Sequence, residues 1–293
     1  MNKLRNVGID EPLTTEQGAY IKQQAVFAAR RAFVGRRLFG QAIRKIDAGS
    51  QTFGYDTLTE ASDASLDFNW PGRQSQDLVN LARTTVGIPN LHKEFEINKL
   101  DLAASRQTGA PINTTTAESA AYKVAYREDE VLINGYSADG TTYEISGLYQ
   151  SAGNTFGGAD WATATNIPLS VNGAINVLLT DNILPPYNLT VPAEQYGYML
   201  VFVANTAVSY LQWVKEALQG GNVYMSPVLT TGTAMMTKAN PDGMFEYVMA
   251  EDLTTETETL SIKEGQNLFG RCYVRGLPVI YDTNAISTIT GIT

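Results

Sequence analysis

The side chains that most often carry out chemistry in proteins are scarce in this chain of 293 residues. It contains one cysteine, Cys272, and one histidine, His92. A Cys/His zinc site or a Cys-His catalytic pair would require these two residues to meet, and a Ser-His-Asp triad would depend on His92 alone. An intramolecular disulfide is excluded, because Cys272 has no second cysteine to pair with. We therefore expect no metal and no cofactor, and predict that His92 lies beside a strand as an ordinary polar residue.

A dense group of carboxylates occurs in the segment Arg127-Glu128-Asp129-Glu130. On a helix, Arg127 and Glu130 share a face, whereas Glu128 and Asp129 diverge. Paired catalytic carboxylates need a cleft and two different environments, which a run along one helix does not supply. We favour a solvated or interface-pairing role for this group, and predict that the chain is not an enzyme. The competing hypothesis is an acid–base site formed by Glu128 to Glu130 with His92.

Charge is distributed unevenly along the chain. Thirty acidic and 21 basic residues give a net charge of −9, which argues against a protein whose whole surface coats nucleic acid. Six of the basic residues nevertheless fall within sixteen positions near the N-terminus: Arg30, Arg31, Arg36, Arg37, Arg44 and Lys45. This basic cluster either pairs with acidic surfaces of partner chains, which we favour, or contacts enclosed nucleic acid locally.

The apolar runs of the chain are short. The longest clean run, Tyr198 to Ala204, is far below the roughly 20 residues that a membrane-spanning helix needs. No apolar segment follows the N-terminal Met-Asn-Lys-Leu-Arg-Asn, so no secretory signal is visible. We expect a cytoplasmic protein that does not associate with membranes.

Apolar periodicity predicts a mixed α+β fold without a regular βαβ series. A first helix is predicted from about Thr15 to Phe33, and the clearest helix from Ala117 to Asn134, ending at Gly135. Further helices are predicted over Leu169 to Leu179 and Thr206 to Leu218. A buried strand is predicted over Tyr198 to Val203, an irregular loop over Tyr136 to Ala164, and strands within Val223 to Thr237, Met244 to Ala250 and Leu268 to Tyr281.

The segment from Gln41 to Gly72 alternates apolar and polar residues, which predicts a long two-stranded excursion. An isolated two-stranded hairpin is marginally stable in water, so such an arm normally lies on other protein. A neighbouring subunit is the natural partner for the apolar side chains of this arm, which are Ile43, Ile46, Phe53, Leu58, Leu66, Phe68 and Trp70.

Several blocks stand in a recognisable order: Leu13 to Gln17, Val34 to Phe39, Gly87 to Ile97, Tyr126 to Gly135 with Gly147-Leu148 after it, Pro186-Tyr187, Tyr198 to Val203 with the helix to Leu218, and Gly221 to Pro227. Together they resemble encapsulins, the shell proteins that share the HK97-like capsid fold of tailed phages. The resemblance covers about Leu13 to Thr283. No single block is very specific, but the ordered set is hard to produce by chance.

The resemblance implies an N-terminal arm and helix (residues 1–37), an extended or E-loop (38–85), a peripheral or P domain with a spine helix (86–150 and 233–293), and an axial or A domain (151–232). It implies that the arm's apolar residues contact an adjacent subunit and that loops near Pro185 and Gly220 meet at five-fold and six-fold axes. The first helix would face the lumen, placing Arg30, Arg31, Arg36 and Arg37 where they could meet packaged DNA or a scaffold.

Departures from the encapsulin pattern favour a viral protein within this class. The usual Gly-Pro-x-Gly after the first helix is replaced by Phe39-Gly40-Gln41, and the region from Ala138 to Asn166 is longer than the family's compact turn. The low charge and abundant Thr, Asn, Ala and Gly are more typical of a phage coat protein. We predict a major capsid protein forming pentamers and, in larger shells, hexamers around a viral genome. It would assemble in the host cytoplasm into a virion, with portal or scaffold proteins as partners and no long cleaved region before the first helix. The alternative is an encapsulin compartment that encloses cargo enzymes.

Overall fold

A computed structural model describes residues 15–29, 33–58, 81–108, 113–140, 144–241, 243–257 and 267–293. The helices in these ranges are α1 (Thr15–Ala29), α2 (Gly35–Phe39), α3 (Lys99–Thr108), α4 (Thr115–Asn134), α5 (Asn166–Thr180), α6 (Ala193–Met199) and α7 (Tyr210–Ala217). The strands are β1 (Ile43–Lys45), β2 (Thr52–Leu58), β3 (Leu81–Gly87), β4 (Asn90–Ile97), β5 (Asn154–Gly157), β6 (Tyr187–Val191), β7 (Val223–Met225), β8 (Thr233–Lys238), β9 (Phe245–Thr257), β10 (Leu268–Ile280) and β11 (Ile286–Thr290).

The long helix α4 packs across a four-stranded sheet of the described residues, in the order β1-β9-β10-β4. Strand β1 runs parallel to β9, and the other neighbours are antiparallel. The buried residues of α4 include Ala117, Ala121 and Val124, which recur at four- and three-residue spacing, so one face of the helix meets the core. Helix α1 lies on α4 and contributes Ile21 and Ala25 to the same core cluster.

A second sheet of the described residues has five strands in the order β5-β11-β8-β6-β7. Its core includes Trp161, Leu189 and Met236 and is covered by side chains of α5, α6 and α7, among them Val171, Met199 and Val214. Strands β8 and β11 come from residues 233–293, which the resemblance assigns to the P domain. This sheet thus combines strands from both predicted domains. The domain boundaries given above stay a prediction.

The two-stranded excursion exists, but its extent differs from the prediction. Strand β2 pairs in antiparallel register with β3, from Thr52 opposite Gly87 to Leu58 opposite Leu81. The return strand therefore lies beyond Gly72, and residues 59–80 between the two strands lie outside the described part of the chain. The segment from Ile43 to Lys45 joins the four-stranded sheet instead.

The predicted strand over Tyr198 to Val203 is wrong. Tyr198 and Met199 end helix α6, and the next three residues, Leu200, Val201 and Phe202, are exposed rather than buried. A short continuous apolar run does not by itself distinguish a buried strand from other structures, so this run was not sufficient evidence for a strand. The predicted irregular loop from Tyr136 to Ala164 contains strand β5 and an isolated bridge between Tyr136 and Ile145. Strand β11 was not predicted.

Candidate functional site

Helix α4 corresponds to the predicted spine helix. Its residue Asp129 binds the start of helix α2 through hydrogen bonds. Asp129 Oδ1 accepts hydrogen bonds from the backbone N–H of Val34, at 2.9 Å, and of Gly35. These N–H groups belong to the first turn of α2, where helical backbone donors have no partner within the helix. Asp129 thus seats the start of α2 against α4, across 94 and 95 positions of sequence.

The close seating of α2 requires glycine at position 35. A Cβ atom built on Gly35 would lie 2.8 Å from Asp129 Oδ1 and 3.1 Å from two side-chain carbons of Leu132. Real Cβ atoms essentially never approach other atoms to 2.8 Å. Gly35 is therefore needed for contact between the two elements, independently of any unusual backbone conformation.

The next residue, Arg36, joins three elements through its guanidinium. Its Nε donates to Glu128 Oε1 at 2.8 Å, and its Nη1 donates to Asp252 Oδ1 at 2.7 Å. Glu128 Oε1 also accepts the hydroxyl of Tyr247, at 2.6 Å. Asp252 lies where the pairing of β9 with β10 shifts register, between the pairs Thr254–Tyr273 and Glu251–Arg275. We call this group of contacts the junction; it links α2 to both α4 and β9 and consists of Val34, Gly35, Arg36, Glu128, Asp129, Tyr247 and Asp252.

Burial controls the electrostatics of this junction. Burial opposes the charge on Arg36, but Glu128 outweighs it, so the pKa of the guanidinium lies above its ordinary value. Burial, reinforced by Glu128, raises the pKa of the Tyr247 hydroxyl well above its ordinary value. Burial also raises the pKa of Asp129 to about 6, against the opposing effect of its bonds from Gly35 and Val34. These groups are held as donors and acceptors within the fold, an arrangement suited to binding elements together.

Two predictions about charged residues are corrected by this geometry. Glu128 and Asp129 are 5% and 2% exposed, so they are neither solvated nor free to pair with a partner chain. Arg36 is engaged by carboxylates of its own chain. The exposed pair Arg127–Glu130 does share a helix face, as predicted.

The predicted lumen-facing role of the basic residues stays a prediction. Arg37 is exposed, and Arg36 is one-third exposed despite its two ion pairs. Arg30 and Arg31 lie outside the described residues. Arg44 lies 3.7 Å from Glu246 and stacks over the ring of Phe53, at 5.5 Å from its centroid.

A cavity of about 340 Å³ opens beside the junction. Its wall combines charged groups of the junction with apolar side chains of α1, α4, β9 and the segment before α2: Val26, Phe33, Arg36, Arg37, Ala125, Glu128, Asp129, Leu132, Asp252 and Leu253. The cavity therefore borders the helix that the resemblance places on the lumen side.

The described part of the predicted inter-subunit arm is packed against its own chain. Ile43 contacts one core cluster, and Ile46 and Phe53 contact another around Ile88 and Val248. Leu58 is the last residue of β2, and its side chain is not described. Leu66, Phe68 and Trp70 lie outside the described residues. An inter-subunit role for these seven residues stays a prediction.

An exposed apolar loop follows α6 and was missed by sequence reasoning. Leu200, Val201 and Phe202 are 53%, 50% and 64% exposed. The loop is held in shape by backbone bonds from Val203 to Val208 and from Tyr210 to Val201, at 2.9 and 3.0 Å. It therefore presents adjacent apolar side chains from an ordered backbone. Such a patch is typical of a protein–protein contact.

The remaining candidate chemistry has no site in the described residues. His92 lies in β4 opposite Tyr273, exposed, as predicted beside a strand. Cys272 is buried, near Thr255 at 3.4 Å, and burial raises the pKa of its thiol. The described ranges bring together no group of three or more His, Cys, Asp or Glu side chains that could hold a metal ion. Within the same ranges, no helix has the length and apolar character needed to cross a bilayer.

Solved structures with a similar fold are shells and capsids. A virus-like particle protein from Pyrococcus furiosus superposes with a TM-score of 0.66 and 15% identity, over 94% of this chain and 98% of that one. The capsid of Myoviridae phage XM1 superposes with a TM-score of 0.61 and 13% identity, over 87% and 92%. The chain therefore has the HK97-like capsid fold, the class of fold that these shell and capsid proteins share.

Sequence comparison gives the family. A family model described as "Encapsulating protein for peroxidase" matches residues 8–261, and the chain belongs to this family. A type 1 encapsulin shell protein, EncA of Myxococcus xanthus, is 26% identical over 237 residues, 80% of either chain. A diheme-cytochrome-encapsulin shell fusion protein of Kuenenia stuttgartiensis is 28% identical over 215 residues, 73% of this chain and 57% of that longer relative. The resemblance and the fold class expected from the sequence are thereby confirmed.

Proposed function

We propose that this shell protein assembles into a closed icosahedral particle through two surfaces, the arm predicted from the sequence to contact a neighbouring subunit and the exposed apolar loop of residues 200–202. The exposed loop carries the proposal. Three adjacent apolar side chains, each at least half exposed, are held by an ordered backbone that contributes little entropy loss on docking. Many modest heterologous contacts, repeated by symmetry, sum to a stable shell.

Substitution at Phe202 tests this surface. Phe202→Asp places a charge at the most exposed apolar position of the loop, so it is expected to prevent assembly while leaving the subunit folded. Phe202→Tyr retains the aromatic ring and is expected to assemble normally. The measurement is particle yield by size-exclusion chromatography, with circular dichroism to check folding. Normal particles from Phe202→Asp would contradict the role of the loop.

For the contents of the shell, the first candidate is the genome of a tailed virus. This candidate is supported by the small share of charged residues, 17%, and by the missing Gly-Pro-x-Gly after the first helix. Both features depart from the encapsulin pattern. Pentamers and hexamers would then enclose DNA, with portal or scaffold proteins as partners, and the protein would be located in virions. We propose no enzymatic activity for it, since assembly requires no bond-making chemistry.

The second candidate is a compartment that encloses cargo enzymes, and its support is that the sequence relatives described above are encapsulin shell proteins. In encapsulins the first helix faces the interior and helps to bind cargo peptides, and here α1 borders the cavity beside the junction. Nuclease-treated particles from the native source distinguish the two candidates. Protected DNA of genome length favours the virus, and co-purified protein without such DNA favours the compartment.

A further inference from the structure

Asp129 is an unusual carboxylate because its two oxygens have unequal surroundings. Oδ1 accepts the backbone N–H groups of Val34 and Gly35, whereas Oδ2 is buried and has no hydrogen-bond partner. The residue as a whole is 2% exposed. A buried ionised group with an unsatisfied oxygen is unfavourable, because it has lost hydration without full replacement.

Among the described residues, the neighbouring charges do not relieve this situation. From α2, Arg36 is engaged by Glu128 and Asp252, and neither Arg36 nor Arg37 forms a salt bridge with Asp129. From α4 itself, Glu128 adds a like charge. From β9, Tyr247 donates to Glu128, and Asp252 adds a further acidic group to the cavity wall. Within the described ranges, the ionised form of Asp129 is thus poorly compensated apart from the two N–H groups.

We propose that Asp129 is a proton-operated latch, which holds α2 firmly on the spine helix when protonated and less firmly when ionised. The neutral carboxyl retains Oδ1 as an acceptor for Val34 and Gly35, and protonation of Oδ2 removes a buried charge that lacks a hydrogen-bond partner among the described residues. When α2 detaches, Asp129 becomes hydrated and its ionised form is no longer penalised. The seated state therefore binds a proton more tightly than the detached state.

The direction of the pH effect follows from this difference. Burial raises the pKa of Asp129 from 3.8 to about 6 in the folded chain. For a raised pKa, the stabilisation is fully present below the unfolded value and is lost as pH rises through the folded value. The latch is therefore tightest below about pH 4, loosens as the pH rises to about pH 6, and changes little above that. Because α2 leads directly into β1 and the arm, pH acts on the element that positions the arm.

Hydrogen exchange at α2 tests the latch. The measurement is the exchange rate of peptides covering residues 33–42 in the intact protein, for the wild type and for Asp129→Asn, at pH 5 and pH 7. Asn is neutral at both pH values and keeps the Oδ1 acceptor. Comparing the two proteins at equal pH cancels the intrinsic pH dependence of exchange. The excess exchange of the wild type over the variant is expected to be about tenfold larger at pH 7 than at pH 5, from the two pKa values.

Glu130→Gln is the matched control, because Glu130 is a partly exposed carboxylate on the same helix, paired with Arg127. The exchange rate of Glu130→Gln in excess of that of Asp129→Asn is expected to match the wild-type excess at each pH. An equal wild-type excess at pH 5 and pH 7, or a larger one at pH 5, would overturn the latch. If Asp129→Asn does not fold, wild-type protection factors corrected for intrinsic exchange decide: a rise of about tenfold from pH 7 to pH 5 supports the latch, and constancy or a fall refutes it.

Discussion

Adding one methyl group at Gly35 tests whether the close contact between α2 and α4 stabilises the subunit. In Gly35→Ala, the new Cβ would lie 2.8 Å from Asp129 Oδ1 and 3.1 Å from Leu132 Cβ and Cδ1. Leu132 is 1% exposed and Asp129 is 2% exposed, and Asp129 Oδ1 is held by two backbone N–H groups, so movement of either side chain disrupts existing contacts. The expected response is that α2 shifts away from the spine helix.

The magnitude follows from what that shift disrupts. Overpacking a buried site costs about 1–3 kcal/mol. The two backbone bonds to Asp129 lengthen at the same time, and hydrogen bonds to charged groups contribute about 1.5–3 kcal/mol each when fully lost. Partial loss of both, combined with partial relief of the clash, gives an expected destabilisation of about 2–4 kcal/mol.

Gly18→Ala is a control for the chemical change itself. Gly18 lies in α1, and a Cβ built there meets nothing within 4 Å. In a helix interior, Gly→Ala is expected to stabilise by roughly 0.5–1 kcal/mol. Thermal unfolding followed by intrinsic fluorescence should therefore give a lower midpoint for Gly35→Ala and an unchanged or higher midpoint for Gly18→Ala. Equal midpoints for Gly35→Ala and the wild type would refute the argument that glycine is needed for the contact.

Other predictions concern the charges and surfaces of the same molecule. Arg36→Met should destabilise by about 2–4 kcal/mol, since it leaves the buried Glu128 without its cation, whereas Arg127→Met on an exposed pair should change stability by less than about 1 kcal/mol; comparative denaturation checks both. The free energy of unfolding of Asp129→Asn should exceed that of the wild type by about 3 kcal/mol at pH 7, and the two values should approach each other near pH 4. Paired melting curves of the two proteins measure this difference. Phe202→Asp should abolish particles that Phe202→Tyr still forms, by chromatography of the two variants.

Elements with strong local patterns could be predicted from the sequence. The spine helix was expected from Ala117 to Asn134 and is found at Thr115–Asn134, because its apolar spacing is regular and Gly135 ends it with φ of 80°. The apolar run from Tyr198 is not a strand, because Leu200, Val201 and Phe202 are exposed in a loop rather than buried in a sheet.

The junction could not be predicted by local reasoning, because its partners are 92 to 216 positions apart. One signal was nevertheless present in the sequence. Glu128 follows Val124 by four positions and precedes Val131 by three, so it continues the apolar face of the helix rather than the polar one. A carboxylate on the buried face of a helix requires a partner, and the resemblance block Val34 to Phe39 supplies it through Arg36.

The mass and shape of the purified protein test the central claim, that this chain is a subunit of a closed shell. The chain has a mass of 31.9 kDa, so a minimal icosahedral assembly of roughly 60 copies would have a mass of about 2 MDa. Single-particle electron microscopy under native conditions is expected to show hollow, closed particles of that mass or larger. A monomer or small oligomer under the same conditions would contradict the account.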